Sequence, residues 1–466
     1  MRSIRGALPA LLLSAGAAVA QVPEGPCAAI KTSSLPPCDA TAPAKAGPAL
    51  ATVDGADLSA GELDPGLRKR METVDAAVAD ARLDALKAEI ADVRLHLEAA
   101  RRGTSFRDFW EAEVLKKTPA ASDADLKAEF DRVKKWYPDK TFADLRPRLE
   151  SVVNARNRKK READLAASLA ERFPATAGPD PGLSGLAPDA VLTTVGGRTI
   201  TALSAATRLD AAAFSVRRDL HYEVLEALET AAGERLLKAE ADRRGTTPEA
   251  LLKEDKDAAR KVTEGKPLSY HLEAPQPPTL ALDLAGAASR GLADAPVTVV
   301  EYADFECPHC AKGWDTAEEA LKPYGDRVRY VLRNYPLSFH ENALKAAEAA
   351  RAAGAQGRFF EMAALLFHNQ DALGPASLKA HAARAGCEAT RFAADLDGGR
   401  YTADVLLEER DGERIGVVAT PMFFVNGVWL RWESTDVKGI RAAVDAALAR
   451  AGATPPPAPP PKSAAR

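Results

Sequence analysis

The stretch Asp304-Phe305-Glu306-Cys307-Pro308-His309-Cys310 decides how this chain is read. Before it, residues 297–302 (VTVVEY) are β-branched and apolar, as a buried strand would be. After it come a helical run at 311–321 and a second apolar strand at 328–332. The two cysteines therefore fall at the start of a helix that joins two strands. A thiolate is the nucleophile of disulfide exchange, and the unpaired N–H groups of a helix N-terminus stabilise it. Two intervening residues let the second sulfur reach the first across one turn. Pro308 is tolerated there because its missing N–H would be unpaired anyway. His309 offers a positive charge or a hydrogen bond to the thiolate, which lowers its pKa and makes the disulfide more oxidising.

Further along, residues 418–427 (VATPMFFVNG) set a Thr420-Pro421 pair ahead of a hydrophobic strand. A proline there suits a cis turn that starts a strand near the cysteines. Asn426-Gly427 between apolar runs signals a hairpin, and residues 435–449 make a closing amphipathic helix. The segments DAPVTVVEYADFECPHC and ATPMFFVNG together closely resemble the DsbA-like thiol–disulfide oxidoreductases, over about residues 281–452. The resemblance implies an α/β, thioredoxin-like C-terminal domain with an inserted helical subdomain, for which the alanine-rich residues 339–417 qualify. It further implies that Cys307 attacks, that Cys310 is the buried resolving thiol, and that the two form the redox disulfide. His309, with Pro308 between the cysteines, would tune their potential, and Thr420 and Pro421 would border the substrate, Pro421 as a cis-proline beside the sulfurs. Glu301 matches the buried acid that assists proton transfer from the resolving thiol; a solvated strand-end carboxylate is its other reading. Thr420 departs from the aliphatic residue of the best-known oxidases and is common in isomerase relatives, so the direction of exchange stays open.

Arg2 and Arg5, a short apolar run at 7–17 and Ala18-Val19-Ala20 read as a cleavable signal peptide over residues 1–20. The expected compartment is oxidising, most simply a bacterial periplasm. A Pro/Ala-rich leader (21–49) and a Pro-rich tail (453–466) lack the periodicity to bury a face. Cys27 and Cys38 lie in that leader, close enough to close a disulfide loop, and Cys387 is expected as a buried, inert thiol of the insertion. No second C-x-x-C or paired histidine completes a metal site, so none is expected. After residue 20 no apolar run is long enough to span a bilayer. Net charge is −4, or −6 once Arg2 and Arg5 are removed, without a basic block, which excludes a nucleic-acid binder. With 46% hydrophobic residues and only five cysteines, apolar cores and not disulfides must hold the fold.

The N-terminal half repeats itself. An offset of 142 residues aligns Thr52-Val53-Asp54-Gly55 with Thr194-Val195-Gly196-Gly197, and Arg101-Arg102-Gly103-Thr104 with Arg243-Arg244-Gly245-Thr246. Over positions 52–104 there are 16 identities, only three of them alanine pairs, so alanine richness does not explain the match. The expected units are helical repeat 1 (50–118), a charged helical extension (119–173), a linker (174–189), helical repeat 2 (190–257) and a second linker (258–280). Each copy opens with a short strand and a glycine turn, then a long helix whose buried stripe is marked by Leu83/Leu225, Leu86/Leu228 and Leu95/Leu237. The pattern of turn, long helix and RRGT resembles the N-terminal segment of SurA-like periplasmic chaperones. No parvulin domain follows, so isomerisation of prolines is not implied; a spacer or dimerisation arm is an equal reading.

The combined reading is an exported, mainly α-helical and internally duplicated N-terminal half carrying a DsbA-like oxidase. Its partners would be unfolded or folding exported proteins with cysteines, plus a membrane or periplasmic partner that resets the cysteines. No cofactor is needed beyond the two sulfurs. Two alternatives stand beside it: a disulfide isomerase or reductase forming a homodimer through the N-terminal half, and a SurA-like holdase in which the redox site is secondary.

Overall fold

Both copies of the repeat open on a two-residue turn with positive φ, Asp54-Gly55 at 51° and 75° and Gly196-Gly197 at 52° and 85°. Such a turn matches the twist of a hairpin. It joins β1 (Ala51–Val53) to β2 (Ala56–Leu58) in the first copy and β3 (Val191–Val195) to β4 (Arg198–Thr201) in the second. The computed structural model describes residues 48–176 and 186–452. The expected signal peptide, the leader up to residue 47 with its Cys27–Cys38 pair, and the 453–466 tail lie outside the described residues.

In the first copy the long helix is broken at Thr73 into α1 (Pro65–Glu72) and α2 (Val74–Arg101). A short α3 (Phe106–Trp110) ends the first repeat, and α4 (Asp123–Val133) and α5 (Phe142–Ser168) form the extension. The second copy keeps its helix whole as α6 (Ala202–Arg244), followed by α7 (Pro248–Glu254), α8 (Ala258–Thr263) and β5 (Leu268–Tyr270). Each RRGT motif closes its helix with two arginines reaching back to a glutamate, Arg101 and Arg102 to Glu98, and Arg243 and Arg244 to Glu240.

The two copies of the repeat interlock. Each hairpin packs on the helix of the other copy as well as on its own. Ala51, Val53 and Leu58 bury against Val224, Leu228, Ala232 and Leu236 of α6, while Leu192, Val195 and Ile200 bury against Ala85, Leu86 and Val93 of α2. The helices run antiparallel, with Arg217 on Asp75 at 2.9 Å and Arg82 on Asp210 at 3.4 Å. Asp75 and Arg217 are equivalent under the 142-residue offset, so their pair lies on the pseudo-twofold axis of one interlocked body. The expected stripe changes accordingly. Leu86, Leu228, Leu95 and Leu237 are buried, but Leu83 is 40% exposed and Leu225 only half-buried, because the buried face follows the other copy's hairpin. Nor is 258–280 merely a linker: β5 pairs antiparallel with β1 and satisfies its open edge.

The C-terminal domain is thioredoxin-like. Its sheet, in the order β10-β9-β7-β8-β6, is built from β6 (Ala288–Arg290), β7 (Val297–Ala303), β8 (Val328–Asn334), β9 (Met422–Val425) and β10 (Val428–Trp429). The central pair β7 and β8 is parallel and the rest antiparallel. Helix α9 (Pro308–Leu321) links β7 to β8, and α10 (Ala343–Gly354), α11 (Phe359–Phe367), α12 (Pro375–Arg384), α13 (Ala389–Asp397) and α14 (Thr402–Arg414) form the insertion. The closing helix is α15 (Val437–Arg450).

Strand β7 explains its own near-continuous apolarity. Val297, Val299 and Ala303 face α9, α15 and the insertion, whereas Val300 and Tyr302 face a second cluster containing Ala211 and Phe214 of α6. The duplicated half thus covers one face of the sheet, and burying Phe214 there stabilises by about 1.5–3 kcal/mol. A second seam joins α2 and α5 to α14: buried Asp92 meets Arg208, Arg410 and Arg414, while Glu162 takes hydrogen bonds from Arg410 and the Trp110 indole. No helix among the described residues is long and apolar enough to cross a membrane.

Candidate active site

Strand β7 delivers the chain to a tight turn at 304–307, and Cys307 becomes the N-cap of α9 with Pro308 as its first residue. The Cys307 carbonyl accepts from the N–H groups of Cys310 at 3.0 Å and Ala311 at 3.3 Å. Both cysteines are thiols in this structure; Cys307 is 4% exposed and Cys310 is sealed. The Cys307 Sγ lies 3.5 Å from the Thr420 carbonyl, which precedes the cis Thr420-Pro421 bond. Thus the two motifs, 110 residues apart in sequence between Cys310 and Thr420, meet at the sulfurs.

The surroundings shift the two thiols in opposite directions. A hydrogen bond from the Cys310 thiol, followed by Thr420 and the backbone N–H groups of Cys310 and His309, brings Cys307 down to about 6 against the effect of burial. Burial pushes Cys310 well up, and its donation to Cys307 adds to the rise. Pro308 and the His309 ring are exposed on the first turn. Cys387 is half-buried rather than buried, its thiol raised by burial.

Glu301 is fully buried on β7 and not a solvated strand end. Burial raises it to about 8, against a hydrogen bond from the Tyr330 hydroxyl and the charge of Arg290. Its Oε1 has no hydrogen-bond partner among the described residues. A Cβ on Gly313 would come 2.9 Å from Pro421 Cγ and 3.2 Å from Glu301 Oε1, so this helical glycine lets α9 seat directly on both.

Several residues that sequence reasoning passed over complete the site. Asp304 is its hub. Its carbonyl accepts from the Cys307 N–H at 3.1 Å, and its own N–H donates to Cys310 Sγ at 3.4 Å. Its carboxylate accepts from the N–H groups of Glu306 at 2.7 Å and Leu337 at 2.8 Å and meets His340 Nδ1 at 2.8 Å. Burial lowers the His340 pKa, but Asp304 outweighs it and the net shift is upward. From the insertion, the Gln370 amide donates to the carbonyls of Phe305 and Cys307, each at 2.8 Å. No local pattern marks Tyr330, His340 or Gln370, since their partners lie 29 to 65 residues away. Among the described residues no cluster could hold a metal ion.

Residues 285–446 match the family model described as Thioredoxin, and the match lies wholly in the domain that bears this site. The SurA-type resemblance therefore rests on the repeat's turn and core residues alone. The chain is 39% identical over 142 residues to Na(+)/H(+) antiporter NhaA 1 of Mycolicibacterium vanbaalenii, covering 30% of this chain and 23% of that protein. It is 45% identical over 139 residues to Na(+)/H(+) antiporter NhaA 3 of Salinispora tropica, covering 30% and 21%. The chain thus spans less than a quarter of the length of these curated relatives. Among solved structures, oxidised BdbD from Bacillus subtilis shares 22% identity at a TM-score of 0.33, over 37% of this chain and 96% of that one. MdbA, a thiol-disulfide oxidoreductase from Corynebacterium diphtheriae, shares 21% at 0.30, over 34% and 89%.

Proposed function

We propose that this chain is an exported protein thiol–disulfide oxidoreductase working in the oxidising direction on unfolded or folding proteins with cysteines. The carrying observation is the split between the two thiols: Cys307 is lowered to about 6, and Cys310 is sealed and raised. A low-pKa thiolate at the helix start stabilises the reduced form, which makes the disulfide a stronger oxidant.

In the oxidised protein, a client thiolate attacks Cys307 Sγ. The Cys307–Cys310 bond breaks, a Cys307–client disulfide forms, and Cys310 leaves as a thiolate. Glu301 supplies the proton that Cys310 then takes up; Tyr330, hydrogen-bonded to Glu301, lies within electrostatic reach of Cys310. A second client thiolate attacks the client sulfur of the mixed disulfide. The client leaves oxidised, and Cys307 departs as the thiolate that its surroundings favour. Thr420 and Pro421 border the client backbone. An exported redox partner accepts the two electrons and restores the disulfide.

The isomerase alternative calls for a dimer through the duplicated half. Its two copies already pair with each other inside one chain, which favours the oxidase reading. Equilibration of the full chain with glutathione buffers tests the direction. A potential near the roughly −120 mV of a strong oxidase is expected, and one near the roughly −270 mV of thioredoxin would sink it.

A further inference from the structure

The duplicated half reaches the redox domain at a point that bears on its chemistry. Helix α6 packs against Ile415, Gly416 and Val417, a few residues ahead of the Thr420-Pro421 turn. Arg218 of α6 is only 2% exposed, and its Nη1 donates to the Gly416 carbonyl at 3.1 Å. Its guanidinium lies 5.8 Å from the ring of Trp429 on β10 and 6.0 Å from that of Phe214, and its Nε donates to Asp219 at 2.8 Å. One side chain therefore grips the polypeptide both before Pro421 and beyond β9.

The close approach is built in. Gly416 has φ +79°, and a Cβ there would fall 2.6 Å from Ser215 Oγ of α6. The same segment is tied by the Val417 N–H to Gly412 O at 2.9 Å and by the Tyr335 hydroxyl to Val417 O at 2.7 Å. Three residues beyond Val417, the Thr420 carbonyl faces Cys307 Sγ. Arg218 Nη2 is buried without a partner among the described residues. Burying a charge with an unpaired donor is costly, and an apolar side chain would cover the sheet at less cost, so packing alone does not account for this arginine.

We propose that Arg218 is a positioning residue through which the duplicated half sets the 416–421 segment for client docking beside Cys307. Its enzymatic readout rests on the thiol–disulfide reading above. Arg218→Met keeps the stem and removes the donors, Arg218→Lys keeps one donor, and Gly416→Ala drives a Cβ onto Ser215 from the other side. In the full-length chain, three quantities are compared: KM for oxidation of a two-cysteine peptide, the rate with glutathione, and amide hydrogen exchange at Gly416 and Val417.

Arg218→Met and Gly416→Ala are expected to raise KM about tenfold and to speed exchange of those two amides by a similar factor. The glutathione rate should stay unchanged, and Arg218→Lys should recover part of the loss. A merely structural role would lower peptide and glutathione rates alike through the folded fraction, with KM unmoved, and would overturn the proposal. So would unchanged exchange in a variant that keeps its circular dichroism. If the parent chain oxidises no peptide, the thiol–disulfide reading fails. Hydrogen exchange then decides the positioning claim by itself, and unchanged amides refute it.

Discussion

Cys307 and Cys310 stand three positions apart on the same helix, but Cys307 receives hydrogen bonds from the Cys310 thiol, the Thr420 side chain and the backbone N–H groups of Cys310 and His309, while Cys310 is fully buried and gives its own hydrogen to Cys307. Their opposite shifts follow from that difference. The Cys307 pKa is depressed in the folded dithiol, so the stability it lends is full above the unfolded value near 9 and is lost as pH falls toward 6. Thiolate absorbance of the reduced protein is expected to titrate with a midpoint near 6, and a midpoint near 9 would remove the basis of the oxidase reading. Glu301 has the opposite sign. With its pKa raised from 4.5 to about 8, the folded state keeps a proton that the unfolded chain has released. Stability is therefore full below 4.5 and declines until pH passes 8. Glu301→Gln should then stabilise the domain by about 1–3 kcal/mol at pH 8 and by almost nothing at pH 4, read from denaturant midpoints.

At the scale of elements, α9 is placed by what lies under it. Gly313 sits in the helix interior, where glycine costs about 1 kcal/mol relative to alanine, yet alanine would collide with Pro421 and Glu301. Gly313→Ala should therefore lose stability, by about 1–3 kcal/mol net of the propensity gain, and should slow exchange by tilting α9 away from the cis-proline turn. A melt at or above that of the parent would show that α9 has room to spare. The same logic applies to the turn at 304–307. It is held by Asp304 from within, by the segment at 337–340 and by Gln370 from the insertion. The helical insertion thus acts as a clamp on the redox turn as well as a cover for the core.

For the molecule as a whole, the duplicated half and the redox domain share cores. Ala211 and Phe214 complete the face of the sheet opposite α9, and Leu95, Phe109 and Trp110 pack with Ala403 and Leu406 of α14. Because the two copies swap hairpins within one chain, the surface on which a second chain would swap is already occupied. Sedimentation of the full chain is expected to give a monomer at micromolar concentration, and a concentration-dependent dimer would reopen the isomerase arrangement. At the second seam Asp92 is surrounded by three arginines. Asp92→Asn should lower stability by about 3–5 kcal/mol, since it leaves buried guanidinium groups short of an anion.

The C-x-x-C at a helix start, the Thr-Pro turn, the Asn-Gly hairpin and the duplication were all legible in the chain. Each rests on local spacing or self-similarity, which tertiary context does not alter. Residues 297–302 read as a buried strand, but nothing local says what lies on either face. The hydrophobic stripe of the repeat was legible only in part: period alone gives a face to Leu86 and Leu83 together, and the other copy's hairpin buries the first and leaves the second exposed. Tyr330, Asp304 with His340, Gln370 and Arg218 gained their places only from folding, because each acts on a partner that the chain brings back from far along the sequence. Sequence alone singled out the two sulfurs and, through the family resemblance, an order of roles for them. Tertiary structure decided how each sulfur is surrounded, what holds the turn that carries them and where the duplicated half meets the chain ahead of Thr420, since burial and long-range hydrogen bonds set those energies.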